Sequence, residues 1–189
     1  MAGGFKLDDI DVSEFGIKLI EGTQTSILPD TRDITVTVPG VHGAYDFGAS
    51  MDVRMFNLRC VMQGARTSTE LQNKIRRFVK HLVDINGHPR TLSLVFDEEP
   101  DKTYFVRYSG SLPLEQVVTL GFFTLPLMAA DPHAYGQRNE IAQMVETSPD
   151  IINIVSNGNV STLPVMVLHN EGDNTIHGFK IRWFEPIGE

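Results

Sequence analysis

The residues able to do chemistry are scattered along this sequence and match no catalytic or metal-binding pattern. None of its six histidines has the spacing of a metal site such as HExxH. The single cysteine, Cys60, leaves no second thiol for zinc or for an intrachain disulfide. Cys60 falls within a predicted strand, where a free cysteine usually behaves as a small buried hydrophobic residue. The sequence predicts no metal ligand and no nucleophile.

Eight of the 24 acidic residues cluster in two short segments, residues 8–14 and 97–101. Paired carboxylates can hydrolyse glycosides or bind calcium, but acidic turns between strands are typically solvated surface. No nucleophile elbow, P-loop or GxGxxG is present. The glycine-spaced PGVHG links two β-stretches and does not open a helix, so it is not expected to bind phosphate. We predict no catalytic residues, no cofactor-binding residues, no metal site and no enzyme activity.

The charge and composition of the chain exclude several classes of partner. The chain has 189 residues and a formal net charge of −8. Sequence-reading nucleic-acid binders need a basic face, so this acidic chain is not expected to be one. Composition alone does not distinguish an acidic surface beside DNA that passes as cargo from plain solubility, which is the simpler interpretation. No apolar run is long enough for membrane insertion, and the N-terminus lacks the pattern of a signal peptide. With one cysteine, the chain is expected to fold in a reducing cytoplasm.

One strongly amphipathic helix is predicted, over residues 67–86. Thr67 followed by Glu70 forms a capping box, and Gly87 and Pro89 are typical of a helix end. Five apolar residues recur at helical spacing and predict a stripe that packs against a sheet, namely Leu71, Ile75, Phe78, Val79 and Leu82.

The other flanks of this helix are polar and mostly basic. Lys74, Arg76, Arg77 and Lys80 are expected to face solvent, as is His81. In so acidic a chain, these basic residues are also candidates to contact an acidic neighbouring subunit. The candidate subunit-interface residues are Pro39, Gly40, Lys74 and Arg77.

Strands are predicted on both sides of the helix. Before it, a strand pair around residues 5–19 bends near Gly16, and residues 35–38 form a strand halted by Pro39 and Gly40. A loop closed by Gly48 follows. Residues 51–62 then alternate with a shift that suggests a β-bulge near Phe56.

After the helix, residues 91–96 and 102–108 form a hairpin around an acidic turn containing Pro100. Residues 116–124 form a strand broken in register by Gly121, and Pro126 and then Asp131-Pro132 terminate this domain. Beyond a linker over 137–150, strands are expected at 151–155, 163–168 and 177–184, too few for a self-sufficient sandwich. The predicted fold class is α+β and mainly β, with an antiparallel sandwich-like domain over 1–136, one packed helix, and a partial β segment over 151–189.

Several segments in this order resemble the distal tail protein (Dit) family of long-tailed, non-contractile bacteriophages. They are FKLDDIDVSEFGIKLIEG, ITVTVPGVHGAYDFG, the helix TSTELQNKIRRFVKHLVD, LSLVFDEEPDKTYFVRYSG and GFFTLPLMAADPHAYG. The resemblance covers about residues 1–136. Downstream, VSNGNVSTLPVMVLHNEGDNTIHGFKI resembles the start of the family's galectin-like C-terminal sandwich, which we expect to be truncated here.

This resemblance implies a homo-oligomer, a hexameric ring at the distal end of the tail tube in the virion. The implied partners are the tail tube protein and the tail-tip or baseplate proteins, such as a tail-associated lysin or fibre and a receptor-binding protein. Two alternatives stay open. One is a major tail tube protein, and the other is a carbohydrate-binding module that stacks sugars on Trp183 and Phe184.

Overall fold

The computed structural model describes residues 3–21, 24–25, 28–155, 158–160, 162 and 164–182. By internal contacts the chain divides into two units, Met1–Glu140 and Ile141–Glu189. The elements of the first unit, in chain order, are β1 Phe5–Leu7, β2 Ile10–Asp11, a 3-10 helix Val12–Phe15, β3 Ile17–Leu19, β4 Gln24–Thr25, β5 Thr31–Val36, β6 Tyr45–Met51, β7 Arg54–Met62, α1 Ser68–Leu82, β8 Thr91–Phe96, β9 Glu99–Tyr108, β10 Leu114–Val117 and β11 Leu120–Ala129.

Nine of these strands form one antiparallel sheet in the order β2-β1-β8-β9-β11-β7-β3, with β10 added to β11 and β4 added to β7. Strands β9 and β11 pair only through Leu127 with Tyr108 and Met128 with Arg107, so the sheet has two halves joined by a short ladder. Phe56 on β7 contacts Tyr104 on β9, with ring centroids 5.1 Å apart. Because side chains from the two halves meet, the sheet folds back on itself and encloses the core, as the sandwich-like prediction required.

The longest ladder joins β7 and β11 over nine residue pairs without a shift. Its buried face alternates with period two, as expected for a half-buried strand pair. The buried residues of this ladder are Phe56, Leu58, Cys60, Met62, Phe123, Leu125, Leu127 and Ala129. The predicted bulge near Phe56 is therefore wrong. The alternation changes because Met51 belongs to β6, whereas β7 begins at Arg54.

Helix α1 begins as predicted. Thr67 Oγ1 accepts a hydrogen bond from Glu70 N at 3.2 Å, and Glu70 Oε2 accepts one from Arg66 N at 2.8 Å. The helix ends at Leu82 and not at residue 86, because Val83 is extended and bridges to Pro89. Gly87, at φ +82°, therefore serves the turn that follows and is not the helix stop.

The apolar stripe of α1 packs as predicted at most positions. Leu71, Phe78 and Leu82 are buried, and Ile75 is half-buried against them. The Phe78 ring lies 5.5 Å from Phe15 and 6.1 Å from Phe123 between centroids. Val79 departs from the prediction, since 39% of it is exposed. It lies at the edge of the stripe, where no strand covers it within the described residues.

Three predictions about strand boundaries after the helix are wrong. Residues 116–124 form a hairpin and not one strand, because the chain reverses at Val118, whose φ of +56° is the left-handed conformation of a tight turn. Pro126 lies inside β11, where its carbonyl accepts from Ser109 N at 3.1 Å. Pro100 lies inside β9 and not in the turn, within a register shift that needs no ladder hydrogen bond from it.

The second unit contains no helix or strand among its described residues. The strands predicted at 151–155, 163–168 and 177–184 are absent wherever the structure describes them. Their apolar, β-branched composition favours a strand only when a neighbouring strand and a covering layer are present. Most of their described apolar side chains are exposed, so no such layer covers the part of the second unit that the structure describes.

Candidate subunit-contact surfaces

A β-hairpin formed by β5 and β6 makes a separate two-stranded sheet. The sequence prediction treated residues 39–48 as a loop, but β6 already begins at Tyr45. At the tip, Val41 N donates to the Val38 carbonyl at 3.1 Å and Gly40 has φ +84°, as in a type II turn with proline before glycine. The predicted interface residues Pro39 and Gly40 are therefore the exposed end of this hairpin.

The base of the hairpin is held by local polar contacts. Asp52 N donates to the Asp30 carbonyl at 2.8 Å, and Arg32 pairs with Asp52 at 3.3 Å. The pKa of Asp52 is lowered, chiefly by the backbone N–H of Val53 and then by the Arg32 charge. These contacts fix where the hairpin leaves the body and leave its far end uncovered.

All residues of β5 and β6 are exposed. Val36 pairs with Tyr45, and side chains two residues apart in a strand share a face, so four large apolar residues line one side of the hairpin. We call these residues the hairpin face, and they are Ile34, Val36, Tyr45 and Phe47, exposed by 55%, 50%, 59% and 67%. The other side carries Thr31, Asp33, Thr35, Asp46, Ala49 and Met51.

Such a hairpin is not a self-sufficient structure. An isolated two-stranded sheet is marginally stable in water and needs further strands or a packing partner. Contiguous exposed apolar side chains on a protein surface commonly mark an interaction site. The hairpin face is thus the clearest unpartnered surface of the first unit.

A second apolar surface lies between α1, the end of β9 and β10. We call it the helix groove. Its volume is about 290 Å³, and it is lined by Met62, Ile75, Phe78, Val79, Leu82, Val83, Tyr108, Leu112, Leu114 and Phe123. The hydroxyl of Tyr108 donates to the Gly110 carbonyl at 2.7 Å. The one polar side-chain group in the lining is therefore already satisfied.

The basic residues of α1 do not act as one patch. Lys74 is half-buried, and its ammonium donates to the carbonyls of Gln63 at 3.1 Å and Gly64 at 3.0 Å. At about 100° per residue, Arg76 and Lys80 lie about 60° and 100° from Val79 around the helix axis, both on the solvent side of the groove, whereas Arg77 lies about 160° away. The structure gives Lys74 a role within its own chain, and it places Arg76 and Lys80 next to an open apolar surface. An interface role for Lys74 and Arg77 stays a prediction.

His81 is a core-edge residue and not a solvated one, contrary to the prediction. Its Nε2 lies 3.2 Å from the Leu7 carbonyl, to which it donates, and its ring lies 5.7 Å from Phe15. The contacts join α1 to β1 and to the 3-10 helix. Helical periodicity placed this residue on the polar flank, but the first strand covers that flank.

The end of the first unit is tied down at the DPHAY segment. Asp131 accepts hydrogen bonds from the Tyr135 hydroxyl and from His133 N, the latter at 3.0 Å. These contacts lower the pKa of Asp131, with the Tyr135 bond as the largest cause, and raise the pKa of Tyr135. Tyr135 also exchanges two backbone hydrogen bonds with Thr103 and packs its ring on Phe105. The segment therefore closes onto β9.

Over the residues that the structure describes, no group of histidine, cysteine or acidic side chains could hold a metal ion. In the same residues, no helix is long and apolar enough to cross a membrane. Trp183 and Phe184, the sugar-stacking candidates, lie outside the described residues.

Comparison with known proteins agrees with this fold. Residues 10–129 match the family described as phage tail protein RIFT-related domain. The SPP1 Dit (gp 19.1) crystal structure, described as a paradigm of the hub adsorption apparatus in phages infecting Gram-positive bacteria, is similar with a TM-score of 0.61 at 20% identity. That match covers 72% of this chain and 53% of the SPP1 chain, so the likeness spans about half of that protein. A search of curated proteins found no match.

The family match extends over most of the first unit, and the structural match gives it the Dit fold. The predicted resemblance is thereby confirmed, as is the mainly β architecture with one packed helix. A structural role in the virion tail follows from the family. The chain belongs to the phage tail protein RIFT-related domain family.

Proposed function

We propose that this protein forms a closed, hexameric ring at the distal end of the tail tube. The ring joins the tube protein to tail-tip or baseplate proteins, among them a tail-associated lysin or fibre and a receptor-binding protein, and leaves a channel through which DNA passes. The description of SPP1 Dit as a hub paradigm supports this position in the tail.

The observation that carries the proposal is the hairpin face. It is apolar and exposed, and it belongs to a two-stranded sheet that is only marginally stable without a packing partner, a partner that a neighbouring copy can supply. A contact between two different surfaces of identical chains is heterologous, and repetition of it produces a ring when the rotation closes. The net charge of −8 supports a channel role, because an acidic wall repels the DNA backbone and does not retain it.

Electron microscopy of the purified protein in negative stain tests the ring. Closed rings of uniform diameter with a central opening are expected. Open stacks of rings would instead support a major tail tube protein, because a tube protein must continue to polymerise. Particles the size of a single chain at high protein concentration would contradict both assignments.

A further inference from the structure

We propose that the hairpin face of one copy docks into the helix groove of the next copy in the ring. The inference rests on the proposed ring and adds to it the two surfaces that meet. Arg76 and Lys80 are assigned to the same contact, as the charged border of the groove.

Both surfaces are open in the single chain. The hairpin face is half or more exposed at each of its four residues, and Val79 on the groove is 39% exposed. Neither surface is covered by another element among the described residues. The pair is complementary in chemistry because one is a projecting apolar ridge and the other an apolar recess.

The sizes agree. An apolar cavity of about 150 Å³ accommodates one benzene ring. At about 290 Å³, the groove has room for about two rings. Tyr45 and Phe47 are two residues apart on the same face of β6, so both rings can enter from one side.

The charges agree as well. The hairpin and its base, residues 28–52, carry four aspartates and one arginine. Asp33 and Asp46 lie on the side opposite the hairpin face, so in the docked pair they would attract Arg76 and Lys80 at long range and not by direct contact. Arg76 and Lys80 are exposed on the groove border. Opposite charges at an interface rim steer association and fix orientation more than they add affinity.

The first test is a cross-linking experiment on the full chain. Phe47→Cys and Val79→Cys are purified separately, mixed, and treated with a short bis-maleimide. Burial raises the pKa of the Cys60 thiol to about 12, so the native cysteine does not compete. Covalent dimers are expected in the mixture and not in either variant alone, whereas the double variant Phe47→Cys, Val79→Cys should give a ladder up to the full ring.

The second test uses charge within the groove. Val79→Asp should weaken association at least tenfold, measured by sedimentation velocity. Its matched control is Ile85→Asp, since Ile85 is a fully exposed apolar residue outside the groove lining. The third test concerns the basic residues beside the groove. In the double variant Arg76→Glu, Lys80→Glu, association should be severalfold weaker and should no longer depend on salt concentration. Arg77→Glu is the control on the far flank of the helix.

The outcomes separate the two proposals. If rings form but positions 47 and 79 do not cross-link, the groove assignment is wrong and the ring proposal stands. The same holds if Val79→Asp weakens association no more than Ile85→Asp does. A protein that stays monomeric overturns the ring itself.

Discussion

Two antiparallel strand pairs of this protein have similar sequence patterns and opposite environments. In the β7–β11 pair, Phe56 and Leu125 are completely buried. In the β5–β6 hairpin, Phe47 is 67% exposed, although it also belongs to an alternating apolar row. The first pair is covered by the folded-over half of the sheet and by α1, whereas the second pair has no covering layer among the described residues. The alternation of apolar residues along a strand thus specifies which face is apolar. It does not specify whether the same chain or another chain covers that face.

The difference has an energetic meaning. Full burial of a large apolar side chain contributes roughly 1.5–3 kcal/mol. The body of the protein has already gained this free energy on folding. The hairpin face has not, and part of it is available for association, less the cost of immobilising two chains. Substitutions in the two regions should therefore separate residues that stabilise the fold from residues that stabilise the assembly.

The largest effect on folding is expected at Phe78. Its ring is buried between Phe15 and Phe123, and Phe78→Ala should lower the free energy of unfolding by about 3–5 kcal/mol. Urea denaturation of the dissociated protein measures it. Phe47→Ala is the matched control and should stay within about 0.5 kcal/mol. Equal effects at the two positions would mean that the distinction between body and hairpin is wrong.

Thiol reactivity should show the next largest contrast. The Cys60 thiol is buried on β7 and its pKa is raised to about 12. We expect it to react with a maleimide at least 100-fold more slowly than a cysteine placed at Phe47, because the thiolate forms only when the sheet opens. Rapid labelling of Cys60 in the native protein would show that the β7–β11 ladder is not a stable core.

The helix cap should have a smaller effect on the body. Thr67→Ala removes the acceptor for Glu70 N and should lower the free energy of unfolding by about 1 kcal/mol. Thr69→Ala, at an exposed position without that bond, is the control and should be nearly neutral. A cap loss without consequence would mean that α1 is held by packing alone.

The smallest effect is a pH dependence at the DPHAY segment. Since the folded pKa of Asp131 is below 3.8, this carboxylate stabilises the fold above that pH and ceases to do so as the pH falls through its lower folded value. The raised pKa of Tyr135 has the opposite sign, so its contribution is present below about 10 and is lost as the pH rises through its folded value. Melting temperatures of the wild type and Tyr135→Phe should therefore differ most near neutral pH and converge at both extremes. A difference in melting temperature that does not change with pH would show that the Tyr135–Asp131 hydrogen bond does not contribute to stability.

Local signals in the sequence predicted much of the body. Residue spacing over short stretches was sufficient to predict the helix cap and strand β8. It also predicted the buried helix positions, which are Leu71, Phe78 and Leu82. The hairpin was missed in part because glycines at 43 and 48 resemble a loop, whereas Gly48 occupies a positive-φ position inside β6. His81 was misassigned because the strand that covers it comes from 74 residues earlier in the chain.

The contact surfaces were harder to predict than the fold. Lys74 and Arg77 were chosen from charge alone, but the direction of each side chain around α1 decides which cations border the groove. The groove itself depends on β9 and β10, which approach α1 only after the sheet has folded back. For the second unit, the apolar segments predicted strands, but local composition does not show whether a neighbouring strand and a covering layer are available.

The central claim is that the hairpin face is completed by another copy of the same chain. Multi-angle light scattering of the wild type, Phe47→Ser and Met51→Ser tests it directly, because Met51 is an equally apolar residue, 55% exposed, on the opposite side of the hairpin. The account predicts a single closed oligomer for the wild type and for Met51→Ser, and a folded monomer for Phe47→Ser. A wild type that is monomeric at high concentration, or a Phe47→Ser variant that assembles as well as Met51→Ser, would contradict it.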